Sequence, residues 1–532
     1  MGIDAHLSGP DFSKGVSIDL LQEGEILRGH VGEEAVLLIR HEGEVHAIGA
    51  VCSHAGGPLE KGILKGDSVV CPWHHSCFNI RTGHPEKAPA LAAIPSWYTK
   101  IFDDKIFVTE RKHPPILPYR DTAHQKMVIV GAGAAGVAAA TRLRQSGFMG
   151  SIHLISAEST LPYDRTLLSK EYMSGIIFDE ELPLWSKEFY AQNKIKLELG
   201  VEVRDINPEA KTVILSDRRT LQYDSCLLAT GGVPLTPPIT GIELEHVFKL
   251  RSLGDAQKIL GQLSWGKRVA IIGAGFIGLE VAAALRDRHM EVHLIAPEEL
   301  PLLRTLGVTA ASYLKKLHEK NGVNFHLGHK VDEITPQKVI LDDQSEIECD
   351  LVIVGAGIRP TLDLPIRAGC AVGNGVKVNE YLETTIPGIY AAGDIALWPD
   401  LLTGKHCRVE HWEVAERLGQ TAALNMMGIP TKFVEVPFFW TEHYGIQMGY
   451  VGHSSGFDRM DVLGELDDND FAIAYYEGDR VIGLLTVGRD EESLLVESAL
   501  SKMDGQAAQE IILAYERKKT LRHRPVQKEL IF

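Results

Sequence analysis

The run Met127-Val128-Ile129-Val130-Gly131-Ala132-Gly133-Ala134-Ala135-Gly136 decides the fold. Four apolar residues that read as a buried strand lead straight into Gly-x-Gly-x-x-Gly, and a helical pattern from Val137 to Gln145 follows. Glycines at these spacings let a pyrophosphate approach the N-terminus of the helix. Glu158 lies 158 − 136 = 22 residues beyond the last of them, at the end of the next strand (Ile152 to Ile155), where an acid can bind ribose hydroxyls. The same grammar returns in Val269-Ala270-Ile271-Ile272-Gly273-Ala274-Gly275-Phe276-Ile277-Gly278, before a helix from Leu279 to Arg286. The first glycines of the two copies stand 273 − 131 = 142 residues apart, so one nucleotide-binding α/β fold is used twice.

Outward from this pair, 532 residues allow three to four domains. Hydrophobic residues at 45% and charged residues at 23% suit folded domains with real cores. Lys plus Arg against Asp plus Glu gives 54 − 71 = −17, which repels phosphate backbones and anionic membrane surfaces and argues against a nucleic-acid partner. The basic run Arg517-Lys518-Lys519, with Arg522 and Arg524, reads as a solvated tail. No apolar run reaches the length of a membrane span, no secretory signal pattern opens the chain, and seven sparse cysteines suit a reducing cytoplasm. Short alternating runs such as Ala35 to Ile39 and Lys105 to Val108 make residues 14–112 an all-β domain, and a Pro-rich linker is expected over 113–126. The alternation returns after Pro430 (Val434 to Tyr450, Phe471 to Tyr476, Val481 to Val487), then a helix near Glu491 to Ser501, giving a C-terminal α+β domain over 431–532.

Within the β domain, sixteen residues separate Cys52-Ser53-His54 from Cys71-Pro72-Trp73-His74. Two Cys and two His, one of each on either loop, can hold one metal centre. A Cys2His2 zinc site is chemically sensible, although zinc modules favour two Cys on one loop and two His on the other. The pattern resembles a Rieske [2Fe–2S] centre, in which two thiolates hold one iron and two imidazoles the other. The flanking Gly56-Gly57-Pro58-Leu59 and Ser76-Cys77-Phe78-Asn79 fit Rieske loops. Respiratory-type members pair an extra Cys in each loop as a disulfide. Here Gly57 stands where one partner would be, which leaves Cys77 unbridged and implies the ferredoxin-like class. His75 replaces the family's usual Gly and reads as a solvent-facing loop residue, not a ligand.

Between and after the glycine motifs come Leu228-Ala229-Thr230-Gly231-Gly232, Val354-Gly355-Ala356-Gly357-Ile358-Arg359-Pro360 and Gly388-Ile389-Tyr390-Ala391-Ala392-Gly393-Asp394. This order is similar to the two-dinucleotide-domain flavoproteins typified by glutathione reductase. The resemblance implies an FAD domain (127–245 and 361–430) with an NAD(H) domain inserted (246–360), and gives Asp394 the flavin's ribityl chain. No two Cys stand at a Cys-x-x-Cys or Cys-x4-Cys spacing, which disfavours the disulfide-reductase branch. Leu161-Pro162-Tyr163-Asp164-Arg165-Thr166-Leu167-Leu168-Ser169-Lys170 resembles the Tyr-x-Arg-Pro-x-Leu-Ser-Lys segment of the apoptosis-inducing-factor and oxygenase-coupled ferredoxin reductase group, with Thr166 for Pro. That resemblance places Arg165 and Lys170 at the cofactor, Lys170 beside the flavin and paired with Glu280. A cation there would stabilise negative charge on reduced flavin, and a carboxylate would orient the cation. It also implies that Trp412, after His411 and before a helix from Val414 to Leu424, lies against the isoalloxazine, and that Trp440 of Phe438-Phe439-Trp440-Thr441-Glu442 lies near its dimethylbenzene edge. In the second fold the strand Val292 to Ile295 ends at Ala296, with Glu298 the nearest acid and no Lys or Arg over 296–299. NADH is therefore favoured, with NADPH the alternative.

As a whole the chain resembles the Rieske-fused apoptosis-inducing-factor-like proteins. That implies an NADH-dependent oxidoreductase that sends electrons through FAD to its own [2Fe–2S] cluster and on to an external acceptor, an oxygenase or another redox protein, as a monomer or homodimer. The alternative is a redox-responsive interaction protein in which NADH turnover is incidental.

Overall fold

The computed structural model describes residues 7–113, 121–400, 403–453 and 456–522. Half of the linker expected over 113–126, residues 114–120, lies outside the described residues, as does Arg524. Two compact units emerge. One joins the N-terminal described residues, up to 113, to 435–440 and to the described residues from 448 on; the other holds 121–434 and 441–447.

In the second unit each glycine motif follows the middle strand of a five-stranded parallel sheet. The first sheet runs Ile195–Leu199, Ser151–Ser156, Lys126–Val130, Ser225–Leu228, Ile389–Ala391. The other runs Val323–Leu327, Glu291–Ala296, Arg268–Ile272, Leu351–Val354, Val247–Lys249. Continuous apolar runs such as Met127 to Ile129 and Val269 to Ile271 are wholly buried, as strands covered on both faces must be. The strand order reverses at the motif strand, so the crevice beyond its carboxyl end is the topological switch point. Both helices start earlier than their apolar periodicity, at Ala134–Gln145 and Phe276–Asp287, because the middle glycines Gly133 and Gly275 occupy the N-cap positions. Each fold also carries a three-stranded antiparallel meander, over 203–222 and 331–348. Helix Trp412–Met426, two residues longer at each end than its sequence pattern suggests, crosses helix Ala134–Gln145 so closely that a Cβ on Gly419 would lie 2.1 Å from the Ala135 carbonyl oxygen.

In the first unit, a six-stranded antiparallel sheet (order Val16–Ser17, Lys105–Arg111, Ser96–Phe102, Glu44–Gly49, Glu34–His41, Ile26–Val31) supports a four-stranded one (Ile63–Lys65, Ser68–Val70, Cys77–Asn79, Pro85–Lys87). Leu37, Ile39, Ile48, Leu59, Val69 and Phe78 form one core with Cys52 and Cys71. The C-terminal sheet has the order Phe438–His443, Ile446–Gly452, Arg480–Val487, Asp470–Glu477, Arg459–Glu465, and helices Asp490–Leu500 and Gly505–Arg522 pack on it. The basic run is therefore not a tail: Arg517, Lys518 and Lys519 lie inside the last helix, which Ala508 and Ile512 anchor in the core. Buried Arg489 ties this domain together, reaching Asp470 at 3.0 Å, Glu492 at 3.3 Å and Glu516 at 2.7 Å. Among the described residues no helix is long and apolar enough to cross a membrane.

Candidate functional site

The two cluster loops converge. Strand Glu44–Gly49 delivers Cys52 and His54; the loop between Ser68–Val70 and Cys77–Asn79 delivers Cys71 and His74. The Nδ1 atoms of His54 and His74 stand 3.1 Å apart, and the two thiols share a hydrogen bond. That bond from Cys71 draws the Cys52 thiol below its ordinary range and pushes that of Cys71 well above it. The backbone N–H groups of His54 and Ala55 and the Ser76 hydroxyl serve the Cys52 sulfur, and those of Trp73 and His74 the Cys71 sulfur. Donors of this kind stabilise thiolates and tune an iron–sulfur centre. Two sulfurs facing each other and two Nδ1 atoms facing each other are the donor set of a Rieske [2Fe–2S] cluster. A Cβ on Gly57 would lie 2.7 Å from the Cys71 sulfur, so no cysteine fits there. Cys77 is in no disulfide, and its sulfur meets the His75 carbonyl at 3.7 Å.

His75 corrects an expectation. It is 1% exposed rather than solvent-facing, at φ +59°, with its Nδ1 hydrogen-bonded to Glu497 and its ring stacked on Phe438. The cause is the C-terminal domain packed on the loop, which no local pattern announces. Trp440 belongs to the same surroundings: its ring lies 4.3 Å from that of His74 and 6.0 Å from that of His54.

In the second unit both glycine motifs have the geometry of a phosphate cradle. Gly131 and Gly273 adopt φ +110° and +114°, and a Cβ on Gly136 or Gly278 would strike the carbonyl oxygen of Gly131 or Gly273 at 1.9 or 2.1 Å. Nothing lies within 4 Å of a Cβ placed on Gly133 or Gly275, the open side where a pyrophosphate would approach. Glu158 accepts from the Tyr163 hydroxyl at 2.8 Å and from the Arg165 guanidinium, while Arg165 also reaches the Arg251 carbonyl at 2.7 Å. Arg251 in turn pairs with Asp394 at 3.0 Å. Thr166 keeps the turn without proline: its N–H and hydroxyl both donate to Asp164, at 2.8 and 2.7 Å. Glu298 sits half-buried just past the end of strand Glu291–Ala296.

Lys170 and Glu280 meet at 3.0 Å, both largely withdrawn from solvent. Lys170 also donates to the Thr166 carbonyl at 3.0 Å. Glu280 accepts from the Ser169 hydroxyl at 2.5 Å and from the Thr441 hydroxyl at 2.7 Å, and Thr441 meets the His443 Nε2 at 3.1 Å. Such saturation suits a buried carboxylate. Trp412 opens its helix and bonds to Glu416 one turn on, whose carboxyl is fully buried and pushed well above the usual range by burial. Sequence reasoning missed Arg251, Thr441, His443 and Glu416. Thr441 adjoins Trp440, while Arg251 and Glu416 fall in no motif.

The family model described as Pyridine nucleotide-disulphide oxidoreductase matches residues 125–419, more than half of the chain. The chain belongs to this family. A Rieske [2Fe-2S] domain model matches residues 15–98, and a Reductase C-terminal model matches 438–514. Apoptosis-inducing factor 3 of Homo sapiens is 34% identical over 491 residues, covering 88% of this chain and 80% of the relative. Putidaredoxin reductase of Pseudomonas putida is 36% identical over 380 residues, covering 70% and 90%. The crystal structure of the covalent putidaredoxin reductase–putidaredoxin complex aligns with a TM-score of 0.70 at 33% identity, over 74% of this chain and 99% of that one. This member of the pyridine nucleotide-disulphide oxidoreductase family is a ferredoxin-reductase-like, FAD-dependent NAD(P)H oxidoreductase with a Rieske [2Fe–2S] domain. Despite the family's name, none of its seven cysteines is in a disulfide, and burial raises the thiols of Cys226, Cys349 and Cys370.

Proposed function

We propose that the chain reduces its own Rieske cluster with NADH and passes single electrons on to an external redox protein. FAD supplies the conversion from a two-electron hydride donor to a one-electron cluster. Gly131, Gly133, Gly136, Glu158, Arg165 and Asp394 would hold it, and Gly273, Gly275, Gly278 and Glu298 would hold NADH. Cys52, His54, Cys71 and His74 would hold the cluster. Lys170 would keep a fixed positive charge where negative charge develops, with Glu280 holding its ammonium in place through the bonds from Ser169 and Thr441. Trp412 and Trp440 would supply aromatic faces.

The carrying observation is the pairing, in one chain, of a converging two-sulfur, two-Nδ1 donor set with two complete dinucleotide folds that share the Lys170–Glu280 pair. The test is anaerobic mixing with NADH, following flavin and cluster absorbance separately. Cluster reduction trailing flavin bleaching supports the reading. Full bleaching with a cluster that stays oxidised over many turnovers, whatever redox partner is added, refutes it. Stoichiometric zinc without acid-labile sulfide would refute the ligand assignment.

A further inference from the structure

His75 is a costly choice for its position. A non-glycine residue at φ +59° is strained, and glycine would sit there freely. Its ring is nonetheless buried and spoken for on every side: Nδ1 bonds to Glu497, Nε2 lies 3.5 Å from the Ser493 hydroxyl, and the ring stacks on Phe438 with centroids 4.0 Å apart. Glu497 is itself 5% exposed, and its other carboxylate oxygen accepts from Lys87 at 3.2 Å. Lys87 also pairs with Glu435 at 2.5 Å. Each of these contacts joins the Rieske domain, through His75 or Lys87, to the C-terminal domain. The neighbouring ring pair, His74 with Trp440, spans the same seam. A buried carboxylate that lost one of two such partners would be left undersatisfied.

We infer that His75 and Glu497 form a clasp that keeps the cluster face of the Rieske domain seated on the chain's own C-terminal domain. His75 is thus a positioning residue: it fixes the loop that carries Cys71 and His74, and holds His74 under Trp440. A separate Rieske protein meets a C-terminal domain of this kind only by diffusion, whereas here the two are seated together within one chain. The inference rests on reading Cys52, His54, Cys71 and His74 as the cluster ligands.

The test uses the full-length protein loaded with flavin and cluster. His75→Gly removes the clasp while suiting the backbone angle, Glu497→Gln weakens it without touching the loop, and His75→Gln restores a donor to Glu497. Hydrogen exchange is read over residues 71–79 and over helix Asp490–Leu500, beside the electron paramagnetic resonance of the reduced cluster and the separate rates of flavin and cluster reduction by NADH. In His75→Gly, exchange in both segments should rise about tenfold or more, with flavin reduction unchanged and cluster reduction slowed. His75→Gln should recover part of both effects. Should His75→Gly fail to keep its iron, Glu497→Gln decides by the same readings. Wild-type exchange at both segments in the deciding variant overturns the clasp. If exchange rises but NADH never reduces the wild-type cluster, the clasp stands and the proposed electron route falls. If exchange is unchanged while the cluster is reduced normally, the reverse holds.

Discussion

Lys170 and Gly57 show how single atoms set the chemistry of this chain. Lys170→Met keeps the length of the side chain and removes its charge beside Glu280, so NADH-driven flavin bleaching should slow by roughly 10–100-fold in stopped flow, with the visible spectrum of the cluster unchanged. Gly57→Ala puts a methyl group 2.7 Å from the Cys71 sulfur. Iron and labile sulfide should fall well below stoichiometric in that variant, while Cys77→Ser, which removes no ligand, should retain both. The glycine spacings and the Cys-x-His and Cys-x-x-His pairs are local patterns that the sequence displays by itself, whereas Lys170 was singled out only through a resemblance. Pairing Lys170 with Glu280 needed a resemblance, since 110 residues separate them. His75 was misread because its partner Glu497 lies 422 residues away, and no periodicity reaches that far.

At the scale of elements the two dinucleotide folds keep the same joints. Arg144 closes its helix by donating to the Phe148 carbonyl at 2.6 Å, and Arg286, 286 − 144 = 142 residues later, donates to the Met290 carbonyl. The spacing of the glycines recurs in the fastening of the helices they start. Helix Trp412–Met426 depends on a close crossing, so Gly419→Ala should cost the about 1–3 kcal/mol of stability typical of overpacking, read as a lower midpoint of thermal unfolding, and speed FAD release on dilution. Helix Leu303–Lys320 brings a pH term. Burial holds His318 neutral, its pKa lowered to about 2, and the neighbouring His443 likewise, to about 3. A depressed folded pKa means that stability is complete above the unfolded value of 6.5 and is lost as pH falls toward the folded one. Between pH 7 and pH 5 each histidine should cost about 2 kcal/mol. Urea unfolding at the two pH values should show His318→Gln losing less on acidification than wild type. An equal loss would contradict a neutral His318.

For the whole molecule, the fold class was readable because composition, alternation and glycine turns act within tens of residues. The grouping of the N-terminal β domain with most of the C-terminal domain was not, since it rests on side chains such as Phe438, Trp440 and Glu497 that look like ordinary core or surface in sequence. At this scale the decisive variant is His54→Ala with His74→Ala. It should bind FAD and take a hydride at near wild-type rate, because the glycine turns and the Lys170–Glu280 pair are untouched, while transfer to a one-electron protein acceptor collapses. Undiminished transfer would show that the external acceptor bypasses the cluster. The seven unbridged cysteines carry one more consequence. With no native cross-link to confuse the count, alkylation under native conditions should mark partly exposed Cys77 first, ahead of Cys407, whose thiol burial pushes up, and spare Cys52 and Cys71 for as long as iron occupies them. An alkyl adduct on either cluster cysteine, read by mass spectrometry from whole cells, would therefore record which molecules have lost their metal in service.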